Sequence, residues 1–373
     1  MAALAFSFVA SLLMTWLVVW SASKHAVLSA DHDMSGPQKF HSHPVPRIGG
    51  VGVFVAIVAG LLFVQLTQST ETGPMWLLLV ASFPAFAAGL AEDLTKSVTP
   101  RQRLIFTAVS ACLAVWLLDA VVRRTAIPGI DDLVVYTPFA VALTVLCVTG
   151  VAHATNIIDG FNGLASMCVL LMMTALVYIG FEVQDGFVVT SALIMAGAAL
   201  GFFIWNYPSG RIFLGDGGAY LLGFVLAELS ILLVARNEEV SSLFPLALCA
   251  YPIFETLFTI YRRRVLKGVA AGLADGIHLH SLLHRRVVRW PAQQPISKLP
   301  HQPQQTVRNA MTSPYLWLLC LSSVVPSVIW WNNTAMLTLF LFLFMVGYVL
   351  LYWSIVRFKT PRWLVMHRAK PAR

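Results

Sequence analysis

Long apolar runs alternate with short polar connectors along most of the 373-residue chain. An α-helix needs about 20 predominantly apolar residues to cross the hydrocarbon region of a bilayer. Eleven runs of about this length are predicted to span a membrane: 3–22, 49–67, 75–91, 104–122, 133–152, 164–181, 187–205, 218–235, 242–260, 314–331 and 335–356. The pattern therefore predicts an all-α polytopic membrane protein with about 11 transmembrane helices, formed as a single domain over residues 1–373.

Composition supports a lipid environment. Hydrophobic residues make up 58% of the chain and charged residues 11%, whereas a soluble domain is about 25% charged. The first apolar run has no basic segment before it, so we expect a first membrane helix rather than a cleaved signal peptide. The cysteines are scattered through apolar runs without CxxC spacing, which argues against a disulfide framework or a zinc site. They are Cys112, Cys147, Cys168, Cys249 and Cys320.

The formal net charge of +8 reflects membrane topology rather than nucleic-acid binding, because the basic residues lie between apolar spans. With the N-terminus outside, the connectors predicted inside hold 22 of the 25 Lys and Arg residues. The outside connectors hold only Arg123, Arg124 and Arg236. This bias predicts a periplasmic N-terminus and a cytoplasmic C-terminus. Residues 261–313 are predicted as a long cytoplasmic loop, and 314–373 as two terminal helices with a basic tail.

Polar residues that are unusual in a membrane protein fall in five segments, all of them in connectors or span ends predicted inside. These segments are 31–47, 92–103, 153–162, 206–216 and 275–289. Scattered polar loops would populate both faces of the membrane. The distribution therefore predicts one functional site at the cytoplasmic face.

Three of these segments carry acidic candidates. Glu92 and Asp93 are adjacent carboxylates, and keeping both ionised favours a nearby cation. Asn156 and Asp159 are three residues apart and share one helix face. Asp216 lies among glycines just before a span, where it could hold a metal beside a phosphate. For each, the structural alternative is a solvated helix end or a helix cap, although ionisable residues at a span are functional candidates by default.

Two segments carry basic candidates. His278 and His280 are two residues apart, which places both imidazoles on one side of an extended segment. Arg285 follows in a stretch that resembles an amphipathic surface helix, for which a lipid-headgroup anchor is the alternative. The remaining basic candidates precede the second span, where a topology signal is the alternative: Lys39, His41 and Arg47.

Together the segments supply acidic residues for a divalent cation and basic residues for phosphates. Carboxylates rather than thiols favour a hard cation, Mg²⁺ or Mn²⁺. Phosphoryl transfer needs positioning, a metal and positive charge on the phosphate oxygens. The competing hypothesis is a secondary transporter, which would place polar groups near the bilayer midplane and often contain inverted repeats. The clustering at one face and the absence of a repeat favour the enzyme.

In their order, these motifs resemble the polyprenyl-phosphate N-acetylhexosamine-1-phosphate transferases, with the phospho-N-acetylmuramoyl-pentapeptide transferases as a more distant branch. The resemblance covers residues 31–286, and the last two spans match only as apolar helices. It implies a multi-pass enzyme of the bacterial inner membrane with a cytoplasmic active site. The implied reaction transfers an N-acetylhexosamine-1-phosphate from a UDP-sugar to undecaprenyl phosphate and releases UMP, which initiates a lipid-linked glycan such as O-antigen.

The resemblance also implies roles for the acidic candidates. Glu92 and Asp93 match a paired acidic motif linked to the metal or to activation of the acceptor phosphate. Asn156 and Asp159 match a motif that lines the nucleotide and metal site. Asp216 matches an acidic metal ligand. We therefore expect Asp93 to activate the acceptor, Asp216 to bind Mg²⁺ together with Asp93, and Glu92 and Asp159 to act in catalysis.

For the basic candidates, the resemblance implies contacts with phosphates. Asp275, His278 and His280 match a late histidine motif near the diphosphate and sugar of the donor, where His278 is expected to be catalytic and Arg285 to grip the diphosphate. The first cytoplasmic motif is linked to the lipid phosphate and the lining of the site. It is matched by Asp31, Lys39, His41 and Arg47.

Three positions depart from the family pattern. Glu92 stands where Asp is commoner, Asn162 where many relatives carry Asp, and Ser281 where a further His is frequent. The donor sugar and the oligomeric state are left open, with a homodimer compatible with the distant branch. The spacing of the late motif favours the N-acetylhexosamine branch over the peptidoglycan branch. We favour direct attack over a covalent aspartyl intermediate, because a phosphate is largely ionised at pH 7.

Overall fold

The computed structural model of the chain describes residues 1–22, 45–67, 71–266, 268, 277–288 and 304–357. The regular elements in these ranges are helices. In chain order they are α1 (Ala2–Trp20), α2 (Gly49–Thr67), α3 (Gly73–Thr95), α4 (Pro100–Leu118), α5 (Ile130–Val134), α6 (Thr137–Ile158), α7 (Leu164–Glu182), α8 (Gly186–Asn206), α9 (Gly215–Arg236), α10 (Phe244–Leu248), α11 (Ala250–Tyr261), α12 (Leu279–Leu283), α13 (Gln304–Ile329) and α14 (Thr334–Val356). Single π-helical turns follow α11 and α12, at Arg262–Leu266 and His284–Val288.

Within the described ranges, ten helices are long and apolar enough to cross a membrane. They correspond to ten of the eleven predicted spans, so the prediction of an all-α multi-pass membrane protein is confirmed. The number of crossings and the orientation of the termini stay predictions. All five cysteines are free thiols.

The predicted span 242–260 is built differently, as the two short helices α10 and α11, which meet at Cys249. Pro252 lies in the first turn of α11. A continuous helix would need a backbone N–H at this position to bond the carbonyl four residues earlier, and proline has none. The predicted loop 261–313 also differs, because it contains α12 and because α13 begins at Gln304 rather than near residue 314.

Helix α9 forms the centre of the bundle. Every residue from Gly215 to Val234 is buried, and the helix packs against α2, α3, α6 and α7. A helix that is apolar on all sides is stable only when it is enclosed. The outer helices instead expose large apolar side chains, such as Trp116, Leu146 and Leu350, as expected for surfaces in contact with lipid.

Helix α1 is fixed to the bundle by buried hydroxyl groups. The Ser7 hydroxyl donates to the carbonyls of Ala56 at 3.0 Å and Ile194 at 2.9 Å. Four residues later, Ser11 donates to the carbonyl of Ala198 at 2.7 Å. Small polar residues allow such close helix contacts inside a membrane. Because residue numbers increase in the same direction along both helices at these contacts, α1 runs parallel to α8.

Glycines bring three helices together at the end of the bundle where α9 begins. A Cβ atom at Gly50 would collide with the backbone of Gly218, and one at Gly89 would collide with the backbone of Gly217. Gly215 has a φ of +76°, which other residues rarely adopt. The backbones of α2, α3 and α9 therefore meet directly, and the polar side chains at their ends lie side by side.

Candidate active site

Asp93, near the end of α3, holds the first turn of α9. Its side chain is only 1% exposed. One carboxylate oxygen accepts the backbone N–H of Asp216 and the other accepts that of Gly217, each at 3.0 Å. The first N–H groups of a helix lack partners within the helix, and a carboxylate there also interacts favourably with the helix dipole. Asp93 therefore determines where the start of α9 lies.

Asp216 is the point at which the charged side chains of the site converge. Its carboxylate accepts a very short contact from Arg103 of α4 and a hydrogen bond of 3.0 Å from the amide of Asn156. Arg47, which precedes α2, approaches Asp216 at 3.5 Å and Asp93 at 3.9 Å. Guanidinium groups beside carboxylates form strong charge-assisted contacts. The predicted convergence of Arg47, Asp93, Asn156 and Asp216 is thus observed.

Asp159 lies immediately after α6, beside the same group. The pKa of Asp159 is raised to about 7, mainly because the carboxyl group is buried. The positive charge of Arg47 lowers this pKa, and the nearby carboxylates of Asp216 and Asp93 raise it. Within the described part of the chain, its carboxylate makes no hydrogen bond of its own. This carboxylate therefore can bind a cation or a substrate group.

Glu92 points away from the Asp93 contacts. Its carboxylate accepts the backbone N–H of Val98 at 2.8 Å, in the short connector before α4. The connector is also fixed by a reciprocal cap between Thr99 and Gln102. Glu92 thus stabilises the connector before α4, from whose first turn Arg103 contacts Asp216. The catalytic role of Glu92 stays a prediction.

The donor set suits Mg²⁺. Asp216 and Asp159 offer carboxylate oxygens and Asn156 an amide oxygen, all hard ligands. Among the described residues, no three acidic, histidine or cysteine side chains form a group that could enclose a metal. Mg²⁺ usually binds one or two carboxylates and completes its coordination with water and substrate phosphates, so these residues fit such a site. Asp93 fits less readily, because both its oxygens already accept backbone N–H groups.

The late histidine motif lies against the loop that follows α6. The rings of His278 and His280 stack with centroids 5.0 Å apart, and both residues are buried. A Cβ atom at Gly160 would be 2.9 Å from Nε2 of His280, so only a glycine allows this approach. The structure therefore brings the histidines against the loop that contains Asp159.

Of the remaining predicted site residues, the structure describes Arg285. Arg285 is exposed in the π-helical turn after α12. Lys39 and His41, together with Asp31 and Asp275, lie outside the described residues.

The loop after α6 is held in place by hydrogen bonds to α13 and to Pro208. The backbone N–H of Asn162 donates to the side-chain oxygen of Asn309 at 2.8 Å, and the Ser313 hydroxyl donates to the Asn162 carbonyl at 2.6 Å. The Asn162 amide also donates to the Pro208 carbonyl at 3.1 Å. The start of α13 is therefore part of the site's support, although the sequence resemblance treated this helix only as an apolar span.

Three polar residues of the site were not predicted individually. Arg103 was counted only as a topology charge, and its position ten residues after Asp93 in the same polar segment was the available signal. His153 contacts the Thr107 hydroxyl at 3.1 Å and packs on Tyr220. Glu255 lies within a predicted span, and an ionisable residue there is itself a signal of function.

Residues 75–234 match the family model described as Glycosyl transferase family 4, a segment that includes Asp93, Arg103, Asp159 and Asp216. Over this segment the multi-pass membrane chain is similar to the members of that family.

Curated relatives extend beyond the matched segment. The chain is 26% identical over 280 residues to a probable undecaprenyl-phosphate N-acetylglucosaminyl 1-phosphate transferase of Bacillus subtilis, covering 74% of this chain and 76% of that protein. It is 28% identical over 258 residues to an undecaprenyl-phosphate alpha-N-acetylglucosaminyl 1-phosphate transferase of Thermotoga maritima, covering 69% and 74%. It is also 29% identical over 197 residues to a phospho-N-acetylmuramoyl-pentapeptide-transferase of Lactobacillus gasseri, covering 50% and 61%.

Proposed function

We propose that this enzyme transfers an N-acetylhexosamine-1-phosphate from a UDP-sugar to undecaprenyl phosphate, releasing UMP and forming an undecaprenyl-diphosphate-sugar. The observation that supports it best is the convergence of Asp93, Asp159 and Asp216 with Arg47 and Arg103 at one end of a membrane bundle. Such a group can hold a cation and several phosphates beside the bilayer surface. The relatives named above act in reactions of this class.

In the proposed reaction, an oxygen of the acceptor phosphate attacks the β-phosphorus of the donor. The bond between this phosphorus and the bridging oxygen breaks, and the oxygen leaves with UMP. Arg47 and Arg103 are placed to stabilise the negative charge on the transferring group. We assign Asp159 and Asn156 to the donor side and the His278–His280 pair to the diphosphate, with Arg285, Lys39 and His41 as further phosphate contacts.

Mg²⁺, held by Asp216 with Asp159 or Asn156, would neutralise phosphate charge and orient the donor. The arginines that now contact Asp216 can then turn to phosphate oxygens, which are equally suitable partners. Asp93 positions Asp216 through the backbone of α9. Its proposed chemical role is activation of the acceptor phosphate.

We place the site at the cytoplasmic face of a bacterial inner membrane, because the positive-inside bias assigns the polar segments to that side. UDP-sugars are available there as donors. The product would initiate a lipid-linked surface glycan, of which O-antigen is one.

The test is release of radiolabelled UMP from a panel of UDP-N-acetylhexosamines by purified protein with undecaprenyl phosphate and Mg²⁺. Release that requires the lipid and is abolished by EDTA supports the reaction and names the donor. Release only from the UDP-muramoyl-pentapeptide would assign the chain to the peptidoglycan branch. Lack of release from every donor by a well-folded sample would contradict the proposal.

A further inference from the structure

Glu255 is a fully buried carboxylate that is not among the site residues predicted from the sequence. It lies in α11 with 0% of its surface exposed. One of its oxygens accepts the backbone N–H of Leu279 at 3.0 Å and lies 3.3 Å from Nδ1 of His278. The other accepts the hydroxyl of Tyr348, from α14, at 2.8 Å.

A buried carboxylate is costly unless several donors satisfy it. Three donors surround Glu255, and two of them belong to the late histidine motif. By contrast, Glu228 of α9 is equally buried, yet within the described residues its oxygens have no hydrogen-bond partner. Burial alone therefore does not account for the contacts of Glu255.

The contact with Nδ1 determines how the His278 ring is oriented. The Thr259 hydroxyl lies 3.2 Å from the same nitrogen. Two side chains of α11, Glu255 and Thr259, therefore contact Nδ1 of His278. When one imidazole nitrogen is fixed by a partner, the other is set in direction and tautomer. The orientation of Nε2 of His278 is therefore fixed. The ring of His280 stacks on that of His278 and lies against Gly160.

We propose that Glu255 is a positioning residue for the donor diphosphate: it fixes His278 through Nδ1, and Tyr348 of α14 completes the arrangement. This inference rests on the proposed function, because it takes His278 to contact the diphosphate. It makes α14 part of the functional unit. Tyr352 of the same helix also donates to the Ile277 carbonyl at 3.2 Å.

The test compares Glu255→Gln with Glu228→Gln, which makes the same change at an equally buried position. We expect Glu255→Gln to raise KM for the UDP-sugar about tenfold, taking the lower end of the range found for carboxylates that orient metal-binding histidines. KM for undecaprenyl phosphate should stay unchanged in both variants. An unchanged donor KM in Glu255→Gln, or an equal rise for both substrates, would overturn the inference.

A double-mutant cycle separates positioning from general stability. In a His278→Asn background, adding Glu255→Gln should change the donor KM by less than about twofold, because residues that act through one another are not additive. Full multiplication of the two effects would show that Glu255 does not act through His278. If Glu255→Gln fails to fold, Tyr348→Phe removes a single donor and should raise the donor KM in the same direction.

Hydrogen exchange provides a readout that does not depend on turnover. The amides of 277–283 should exchange faster in Glu255→Gln than in Glu228→Gln, because the Leu279 N–H loses its charged acceptor. Faster exchange in Glu255→Gln, with a wild-type protein that turns over no donor, would support the positioning role of Glu255 and reject the proposed function. Unchanged exchange together with wild-type turnover would reject the positioning role and support the proposed function.

Discussion

Asp216 accepts contacts from Arg47, Arg103 and Asn156, and its carboxylate is the proposed cation ligand. Asp216→Asn keeps the size of the side chain and removes its charge. We expect kcat to fall about 10³-fold, as when one electrostatic contact to a transition state is lost. The variant should still insert in the membrane and unfold cooperatively in detergent. Near-normal turnover would show that the metal assignment is wrong.

Asp93 acts through hydrogen bonds to the backbone of α9. In Asp93→Asn only one side-chain oxygen remains to accept the N–H groups of Asp216 and Gly217. An unsatisfied buried donor costs about 1–3 kcal/mol, so thermal unfolding in detergent should occur at lower temperature and turnover should fall.

The matched control for this variant is Asp119→Asn at an exposed position. Among the described residues, Asp119 pairs only with Arg123 on the surface, and such pairs contribute little. We expect unfolding temperature and turnover like those of the wild type. Equal effects of the two substitutions would remove the special role assigned to Asp93.

At the level of the helices, the site depends on the direct contact between α3 and α9. Gly89→Ala would place a Cβ atom against the backbone of Gly217. Overpacking of this kind costs about 1–3 kcal/mol, and it would move Asp93 away from the start of α9. We expect both lower stability and a strong loss of turnover.

Gly150→Ala in α6 is the control for helix propensity, because a Cβ atom there meets nothing within 4 Å. Alanine is favoured over glycine inside a helix by about 1 kcal/mol, so this variant should be as stable as the wild type or more stable. If Gly89→Ala behaved in the same way, the close contact of α3 and α9 would not matter for the site.

The apolar pattern predicted the long helices well because a bilayer requires long, uniformly apolar segments. The break between α10 and α11 was missed, since average hydrophobicity does not register that Pro252 lacks an N–H group. Of the site, Asp93, Asn156, Asp159 and Asp216 were predicted, because their segments all fell at the same predicted face.

The supporting contacts could not be predicted in this way. Arg103 had the same appearance in the sequence as the basic residues that only set topology. Asn309 and Tyr348 contact the site across more than 90 residues of sequence, and no local pattern reports such separations. Glu255 carried a clearer signal, as an acidic residue inside an apolar run.

For the whole molecule, the basic residues predict the N-terminus outside and the C-terminus inside, which requires an odd number of crossings. Short epitope tags at the two ends would test this in spheroplasts. The N-terminal tag should be accessible to antibody in intact spheroplasts, and the C-terminal tag only after lysis. Equal accessibility of both tags would mean that α10 and α11 do not together cross the membrane.

The central claim is that the sugar moves together with one phosphate. The most direct measurement uses a UDP-N-acetylhexosamine carrying ³²P in its β-phosphate, with undecaprenyl phosphate and Mg²⁺. The account predicts that the label enters the lipid fraction while unlabelled UMP is released. Label that stays with the nucleotide, as UDP, while sugar enters the lipid would contradict it.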